Sequence, residues 1–216
     1  MTYLELVNEV LKRMREDTID TVAGVDDVVA EMVTSLVNDA KRSVEDAHTW
    51  NALRYEWDID TIADTSLYSL TSAGNYARIE YILSTYGQGL TEVPLQKIRM
   101  LKAQPNTVTQ QPTYYAVNGL DASGDLRVEV FPKPDAVYPL NVYGFKRQAD
   151  LVADDDVLLV PSKPVVYLAL ALAARERGEV GGQTAAEIFV MARGYLSDAI
   201  AWDASLNDLD NIWMTV

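Results

Sequence analysis

The chain has 216 residues, of which 49% are apolar and 23% charged, values that are ordinary for a globular protein and unlike those of disordered chains. Lys and Arg number 18 and Asp and Glu 32, so the formal net charge is −14, and a general binder of nucleic acid or of anionic membranes is disfavoured by repulsion. Cysteine is absent from the sequence, which excludes disulfides, thiolate metal sites and cysteine nucleophiles.

The first fifty residues carry two helical patterns. Thr2 and Glu5 have the spacing of a capping box, and apolar residues then recur every three or four positions up to Arg15. From residue 25 to residue 47 the apolar residues keep to one helical face, which predicts a second helix of about 25 residues. Glu5 and Glu9 stand where a secretory signal peptide would have its basic start, so we expect no export signal.

The hydrophobic period changes from helical to alternating at Leu53. In LRYEWDID the apolar positions alternate with charged ones, which predicts a strand with one buried face. Those apolar positions are Leu53, Tyr55, Trp57 and Ile59. Further strand-like runs follow, separated by turn-forming clusters, and a short helix is expected to open at Pro94. The segment from residue 53 to about residue 160 is therefore predicted to be mostly antiparallel β.

Helical periodicity returns near the C-terminus. Ser162 is placed to cap a helix whose run VVYLALALAA is apolar on nearly every side, so this helix must be buried on several sides. A fourth helix is predicted from about Gln183 to Trp202. The most apolar window, residues 164–174, is too short to cross a bilayer of roughly 30 Å, and we expect a soluble protein.

These elements predict an α+β fold: a four-helix bundle made from the N- and C-terminal helix pairs, with an inserted antiparallel β-rich segment and an extended C-terminal tail. Two amphipathic helices alone would leave their apolar faces in water, so the two pairs are expected to pack together. The predicted parts are residues 1–52 (N-terminal helices), 53–160 (β-rich insert), 161–204 (C-terminal helices) and 205–216 (tail). Separate helical and β domains are the alternative.

No catalytic, cofactor or metal site is predicted. His48 is the single histidine, so no site with several histidines can form, and a packing or surface role is expected. The glycines match neither a P-loop nor a dinucleotide-binding motif. Three acidic clusters remain, for which we expect solvated turns, with paired glycosidase carboxylates as the alternative. They are Asp58, Asp60 and Asp64; Asp121 and Asp125; and Asp154, Asp155 and Asp156.

Aromatic residues on the predicted strands offer a platform for sugars or nucleic-acid bases. Alternation instead places Tyr55 and Trp57 on one buried face, and packing within the core or between subunits is the preferred interpretation. Tyr114 and Tyr115 are interpreted in the same way.

The last residues combine apolar and acidic side chains. The apolar ones are Leu206, Leu209, Ile212, Trp213 and Met214. Two interpretations stay open: the tail folds back on its own bundle, or it is an anchoring peptide for a groove on a partner, where Trp is favoured. These five residues are the predicted partner-binding site.

Several phrases of the sequence resemble one family. They are MTYLELVNEVLKRMRE, DTIDTVAGVDDVV, HTWNALR, DLRVEVFPKPDAVYPLNVYGFKR and LVPSKPVVYLALALAARERGE. Together they are similar to the head-to-tail adaptor, or connector, proteins of tailed bacteriophages, in nearly the whole order of elements.

The resemblance implies a virion protein made in the host cytoplasm, which forms a ring, commonly of twelve copies, beneath the portal. Such a ring continues the DNA channel, lets the genome pass without specific binding, and supports the tail nozzle or tail tube. The C-terminal extension that reaches the portal maps to residues 206–216, and neither an enzymatic activity nor a cofactor nor a membrane is implied. The alternatives are a neck or tail-completion protein and a carboxylate-dependent glycan hydrolase.

Overall fold

The computed structural model describes residues 1–84, 87–105, 108–178 and 183–206. The chain divides into two compact units. The helical unit consists of Met1–Leu53 together with the chain from Gln148 onwards, and the sheet unit is Arg54–Arg147. None of the described helices combines the length and the hydropathy that crossing a bilayer requires.

The described residues form helices and strands in the following order. The helices are α1 (Tyr3–Met14), α2 (Val28–Ala47), α3 (Leu95–Lys102), α4 (Ser162–Glu176) and α5 (Gln183–Ser205). The strands are β1 (Arg54–Asp60), β2 (Leu67–Ser69), β3 (Arg78–Ser84), β4 (Gly89–Glu92), β5 (Tyr114–Leu120), β6 (Leu126–Phe131) and β7 (Pro139–Phe145).

Side-chain caps fix where the first two helices begin. The Thr2 hydroxyl accepts the Glu5 N–H at 3.3 Å and the Glu5 carboxylate accepts the Thr2 N–H at 2.9 Å, so the predicted capping box is confirmed. The Asp27 carboxylate accepts the Val29 N–H at 2.8 Å and caps α2. Helix α2 therefore begins three residues later than its apolar pattern, because a cap rather than an apolar residue sets the first turn.

One core lies within the helical unit. Its buried residues come chiefly from α1, α2 and α4, and apolar side chains of α5 pack against it from outside. Helix α4 contacts each of the other three helices of the unit, and α5 packs mainly on α4. The largest apolar members that are fully buried are Leu6, Leu11 and Trp50, and each such side chain contributes roughly 1.5–3 kcal/mol to folding.

Polar side chains of α2 hold the chain where it returns from the sheet unit. The Asn38 amide donates to the Leu151 carbonyl at 3.0 Å and accepts the Leu151 N–H at 2.9 Å. The side chains of Lys41 and Glu45 are fully buried, and the Lys41 ammonium donates to the Gln148 carbonyl at 2.8 Å and to Glu45 at 3.2 Å. Because a buried charge is costly unless it is paired, these bonds fix residues 148–151 against α2.

The sheet unit is a seven-stranded mixed sheet with the order β1-β7-β3-β4-β5-β6-β2, nearly closed like a barrel. All neighbouring strands are antiparallel except β4 and β5, which are parallel. Helix α3 lies between β4 and β5 in the chain, which is the crossover that a parallel pair requires. Buried residues of the strands, Trp57, Ile82, Val128, Leu140 and Val142 among them, form a core of their own.

The predicted four-helix bundle with an inserted antiparallel segment is wrong. The β-rich part is a mixed, nearly closed sheet with its own core, and α3 belongs to that unit. Residue alternation shows which face of a strand is buried, but it contains no information on which strands are neighbours.

The prediction that Tyr55 and Trp57 share a buried face is also wrong for Tyr55. Trp57 is buried, whereas Tyr55 remains 43% exposed. Tyr55 is the second residue of the edge strand β1 and lies opposite Gly144, which has no side chain to cover it. The cation of Lys146 lies 3.5 Å from the centre of its ring.

A substitution at Gly144 tests the pairing of β3 with β7. A Cβ atom at this position would lie 2.1 Å from the Arg78 carbonyl oxygen, beside the irregularity between Ile79 and Tyr81. We therefore expect Gly144→Ala to lower the free energy of unfolding by about 1–3 kcal/mol or more, because backbone must move.

The matched control is Gly194→Ala on α5, where an added Cβ meets open space. This variant should gain about 0.8–1 kcal/mol from helix propensity. Urea denaturation of both variants measures the difference. A Gly144→Ala protein as stable as the unaltered chain would contradict the described register of β3 and β7.

Candidate partner-binding surface

Helix α5 exposes a set of apolar side chains, which we call the α5 face. Its members are Val190, Met191, Trp202 and Leu206, with Gly194 and Ala201 between them. Trp202 is 72% exposed and Leu206 is 55% exposed. Trp202 lies in the last turn of α5, and Leu206 follows directly after the helix ends at Ser205. Large apolar side chains grouped on one exposed face are typical of an interaction surface.

On the other side of α5, the buried residue Asp203 holds the C-terminal end of the helix in place. One of its carboxylate oxygens accepts the Asn51 backbone N–H at 3.1 Å and the Asn51 side-chain amide at 3.1 Å, and lies 3.2 Å from His48 Nε2. The Asp203 carbonyl accepts a further bond from the Asn51 amide at 3.2 Å. These contacts tie the last turn of α5 to the end of α2 and set the direction in which Trp202 points away from the core.

His48 takes part in the same contact. Its ring meets the Trp50 ring edge-on with centres 5.0 Å apart, and the Trp50 indole N–H donates to the Val44 carbonyl at 2.8 Å. This is the packing role that was predicted for His48.

A small apolar cavity of about 210 Å³ lies where α2, α4 and α5 meet. Its apolar lining includes Val44, Leu168, Phe189 and Leu196, with the Arg193 side chain also on the lining. A recess of this size has room for one or two apolar side chains.

The structure describes one of the five predicted partner-binding residues. Leu206 is exposed and follows directly after the end of α5. Leu209, Ile212, Trp213 and Met214 lie outside the described residues. All five residues therefore stay a prediction as a partner-binding site, and the α5 face is a further candidate for the same role.

Asp203 was missed by the sequence interpretation. It lies three, four and seven residues after Ile200, Ala199 and Leu196, so it falls on the helical face that packs on the core. An acidic residue on the buried side of a predicted helix is the signal that identifies such an anchor.

Two of the three acidic clusters bind backbone N–H groups in turns, whereas the expectation of a turn is wrong for Asp58 and Asp60, which lie on strand β1. Asp125 accepts the N–H groups of Ser72 at 3.0 Å and Gly74 at 2.9 Å. Asp156 accepts those of Val152 at 2.7 Å and Ala153 at 2.8 Å, and these bonds lower the pKa of its carboxyl. Such bonds stabilise the ionised form, which is the reverse of the raised pKa that a catalytic acid needs.

Asp121 is similar, since its pKa is lowered first by the hydrogen bond from the Asp125 N–H. Among the described residues, no group of His, Asp and Glu is arranged to hold a metal ion.

A family model described as SU10 adaptor protein matches residues 1–211. The chain belongs to this family of phage head-to-tail adaptors. The resemblance seen in the sequence is thus confirmed, and a bacteriophage adaptor acts in the virion. No curated protein matches the chain. The family match includes both units of the adaptor and ends before Ile212, Trp213 and Met214.

Replacing Asp203 tests how the end of α5 is held. Asp203→Ala removes the acceptor of two Asn51 donors, so we expect the free energy of unfolding to fall by about 1–3 kcal/mol. The control is Asp198→Ala, an exposed acid on the same helix, with an expected change within about 0.5 kcal/mol. Urea denaturation gives both values. Hydrogen exchange should accelerate at residues 199–205 only in Asp203→Ala, and equal exchange in the two variants would contradict the anchor.

Proposed function

We propose that this adaptor docks as a ring, commonly of twelve copies, on the portal, extends the DNA channel and forms the platform for the tail nozzle or tail tube. Its role is structural and needs no catalytic site or cofactor. The observation that carries the proposal is the exposed α5 face, which leads directly into the apolar and acidic C-terminal residues of a chain from an adaptor family.

The α5 face carries apolar surface that binding to a partner would remove from water. A free chain leaves Trp202 and Leu206 mostly in water, and burying apolar surface stabilises a complex by roughly 25 cal/mol per Å² before the costs of association. Tryptophan is among the residues that contribute most at interfaces. Gly194 and Ala201 lie between the larger side chains, so a partner can approach the helix backbone closely.

The C-terminal tail, residues 205–216, makes binding to the portal specific. Leu206, Leu209, Ile212, Trp213 and Met214 are the proposed portal anchor, and Asp208 and Asp210 stand among them. A portal groove that fits this segment is apolar within and basic at its rim.

The charge of the adaptor suits a channel through which DNA moves. A ring of chains that each carry −14 repels phosphate groups overall, so the genome slides without being held. This is the reverse of the basic surface that DNA-binding proteins present.

Truncation after Ala204 tests the anchor. Mixing the shortened chain with the portal and measuring complexes by native mass spectrometry should show at least about tenfold weaker association, equivalent to 1.4 kcal/mol. The control is the full-length double variant Asp208→Asn, Asp210→Asn, which keeps the apolar anchor and should retain most of the affinity at moderate salt.

The same truncation distinguishes the two interpretations of the tail. An anchoring tail leaves the free energy of unfolding of the isolated adaptor unchanged, whereas a tail folded into the helical unit stabilises it, and its loss would be measurable in urea. A shortened chain that forms portal rings with unchanged affinity would contradict the anchoring role. Binding to a neck or tail component but not to the portal would move the adaptor one position further from the capsid.

A further inference from the structure

The nearly closed sheet leaves one cleft between its two edge strands. Strands β1 and β2 stand at opposite ends of the strand order, yet residues 55–59 of β1 and residues 69–72 at the end of β2 line the same cleft of about 330 Å³. We call this cleft the seam. Its volume is at the lower end of the range for ligand pockets, and every residue that lines it belongs to the sheet unit.

Backbone groups of alternate residues along the seam are available for pairing, whereas the Leu70 N–H already donates to the Leu126 carbonyl and the Ser72 N–H to the Asp125 carboxylate. Among the described residues, β1 pairs only with β7 and β2 only with β6. Each strand therefore presents on its other side N–H and C=O groups that no strand satisfies, which is the template for adding a strand. Following the pairings through the sheet, β1 and β2 run in opposite directions, so an added strand would be antiparallel to one and parallel to the other.

A buried donor lies at the same place. Trp57 lines the seam and is 5% exposed, and its indole N–H is buried without an acceptor among the described residues. A buried donor without a partner costs about 1–3 kcal/mol. A backbone carbonyl of an inserted segment would supply the missing acceptor.

The charges of the seam restrict its occupant. Glu56 and Asp58 line it, and the described lining contains no basic side chain. Both carboxylates accept bonds from the Asn141 amide, at 3.1 and 2.7 Å, on the face of the sheet opposite to Trp57. Side chains of an inserted strand alternate between the faces. Basic residues would therefore meet Glu56 and Asp58 while apolar residues lie beside Tyr55 and Trp57.

The adaptor's own segments fit poorly. The tail carries Asp208 and Asp210 and, from residue 207 to residue 216, no Lys or Arg. Antiparallel pairing with β1 of a second copy would bring Glu56 and Asp58 close to the same acids of the other chain, which is destabilising.

We propose that the seam binds an extended segment of a different partner protein, with basic and apolar residues in alternation, as an added β-strand between β1 and β2. The segment donates and accepts backbone bonds along both edges, pairs its cations with Glu56 and Asp58, and accepts the Trp57 indole N–H. This inference rests on the sheet unit and does not require that the α5 face or the tail binds the portal.

The experiment titrates the full-length adaptor with a peptide of alternating lysine and valine that has the seven-residue length of β1, followed by two-dimensional amide NMR. We expect saturable binding, a shift of the Trp57 indole resonance, and slower hydrogen exchange in β1 and in residues 69–72. Two peptides of the same length are the controls: one with glutamate in place of lysine, and one with proline in place of valine, which cannot supply the ladder of donors.

A charge exchange separates strand addition from general attraction to an acidic protein. The double variant Glu56→Lys, Asp58→Lys should bind the lysine peptide about three- to thirtyfold more weakly than the unaltered adaptor does, and it should bind the glutamate peptide more tightly. The matched control, Asp17→Lys with Asp155→Lys, changes the net charge equally through exposed residues of the helical unit. This control variant should still bind the lysine peptide more tightly than the glutamate peptide.

Several results would overturn the proposal. They are a lack of saturable binding, shifts confined to residues outside the seam, and equal binding of the proline peptide. Equal weakening by the two charge-changed variants, with circular dichroism showing both folded, would also overturn it. If the Glu56→Lys, Asp58→Lys variant fails to fold, the comparison of the three peptides on the unaltered adaptor still decides the matter. Loss of portal binding on truncation has no bearing on these outcomes.

Discussion

The helical unit depends on the bonds by which α2 holds the returning chain. Its two parts are separated in sequence by the whole sheet unit, and residues 148–151, which precede α4, are held against α2 by these bonds. Asn38, Lys41 and Arg42 on α2 bind Leu151, Gln148 and Asp150 in turn. This explains a fully buried lysine beside an apolar core, since its ammonium donates to the Gln148 carbonyl and to one oxygen of the Glu45 carboxylate. Apolar side chains could fill the same volume, but they could not specify where the chain re-enters the unit.

The same bonds help to explain why α4 can be apolar on nearly every side. A helix that is apolar on nearly every side has no stable position on a surface. Once the returning chain is fixed, α4 lies in contact with α1, α2 and α5. Helix α5 then covers α4 with one side, held by Asp203, and exposes Val190, Trp202 and Leu206 on the other. The proposed partner surface is in this sense a consequence of how the core is closed.

Local features could be predicted from the sequence because they depend on a few neighbouring residues. The capping box of Thr2 and Glu5, the amphipathic face of α2 and the presence of strand β1 are of this kind, whereas the burial that alternation predicts for Tyr55 is wrong. The start of α2 was placed too early because Val25 continues the apolar pattern, whereas the Asp27 cap decides where the helix begins. Strand order depends on pairings between distant residues, as between Arg54 and Phe145, and no periodicity encodes it.

In the candidate sites, too, local features could be predicted from the sequence, whereas contacts between distant residues could not. Composition draws attention to the apolar residues near the C-terminus, and the one that the structure describes, Leu206, is exposed. The anchor at Asp203 depends on Asn51, far away in the sequence. The seam depends on the sheet curving until β1 and β2 approach, so its parts, Trp57 and Glu56 with residues 69–72, carry no signal of their common location in the sequence.

We expect the helical unit to fold without the sheet unit, because it has a hydrophobic core of its own. Arg54 and Phe145 are partners in one register, so the chain leaves and returns at neighbouring positions, and about six Gly and Ser residues can join Leu53 to Gln148.

Thermal unfolding of this joined chain, followed by circular dichroism, is the most direct measurement. We expect a helical protein with one cooperative transition. Lys41→Met should lower its free energy of unfolding by about 3–5 kcal/mol, because the substitution leaves the Glu45 carboxylate buried without the Lys41 charge. Absence of a cooperative transition would show that the helical unit depends on the sheet unit, and an unchanged free energy of unfolding in Lys41→Met would contradict the role given to the buried pair.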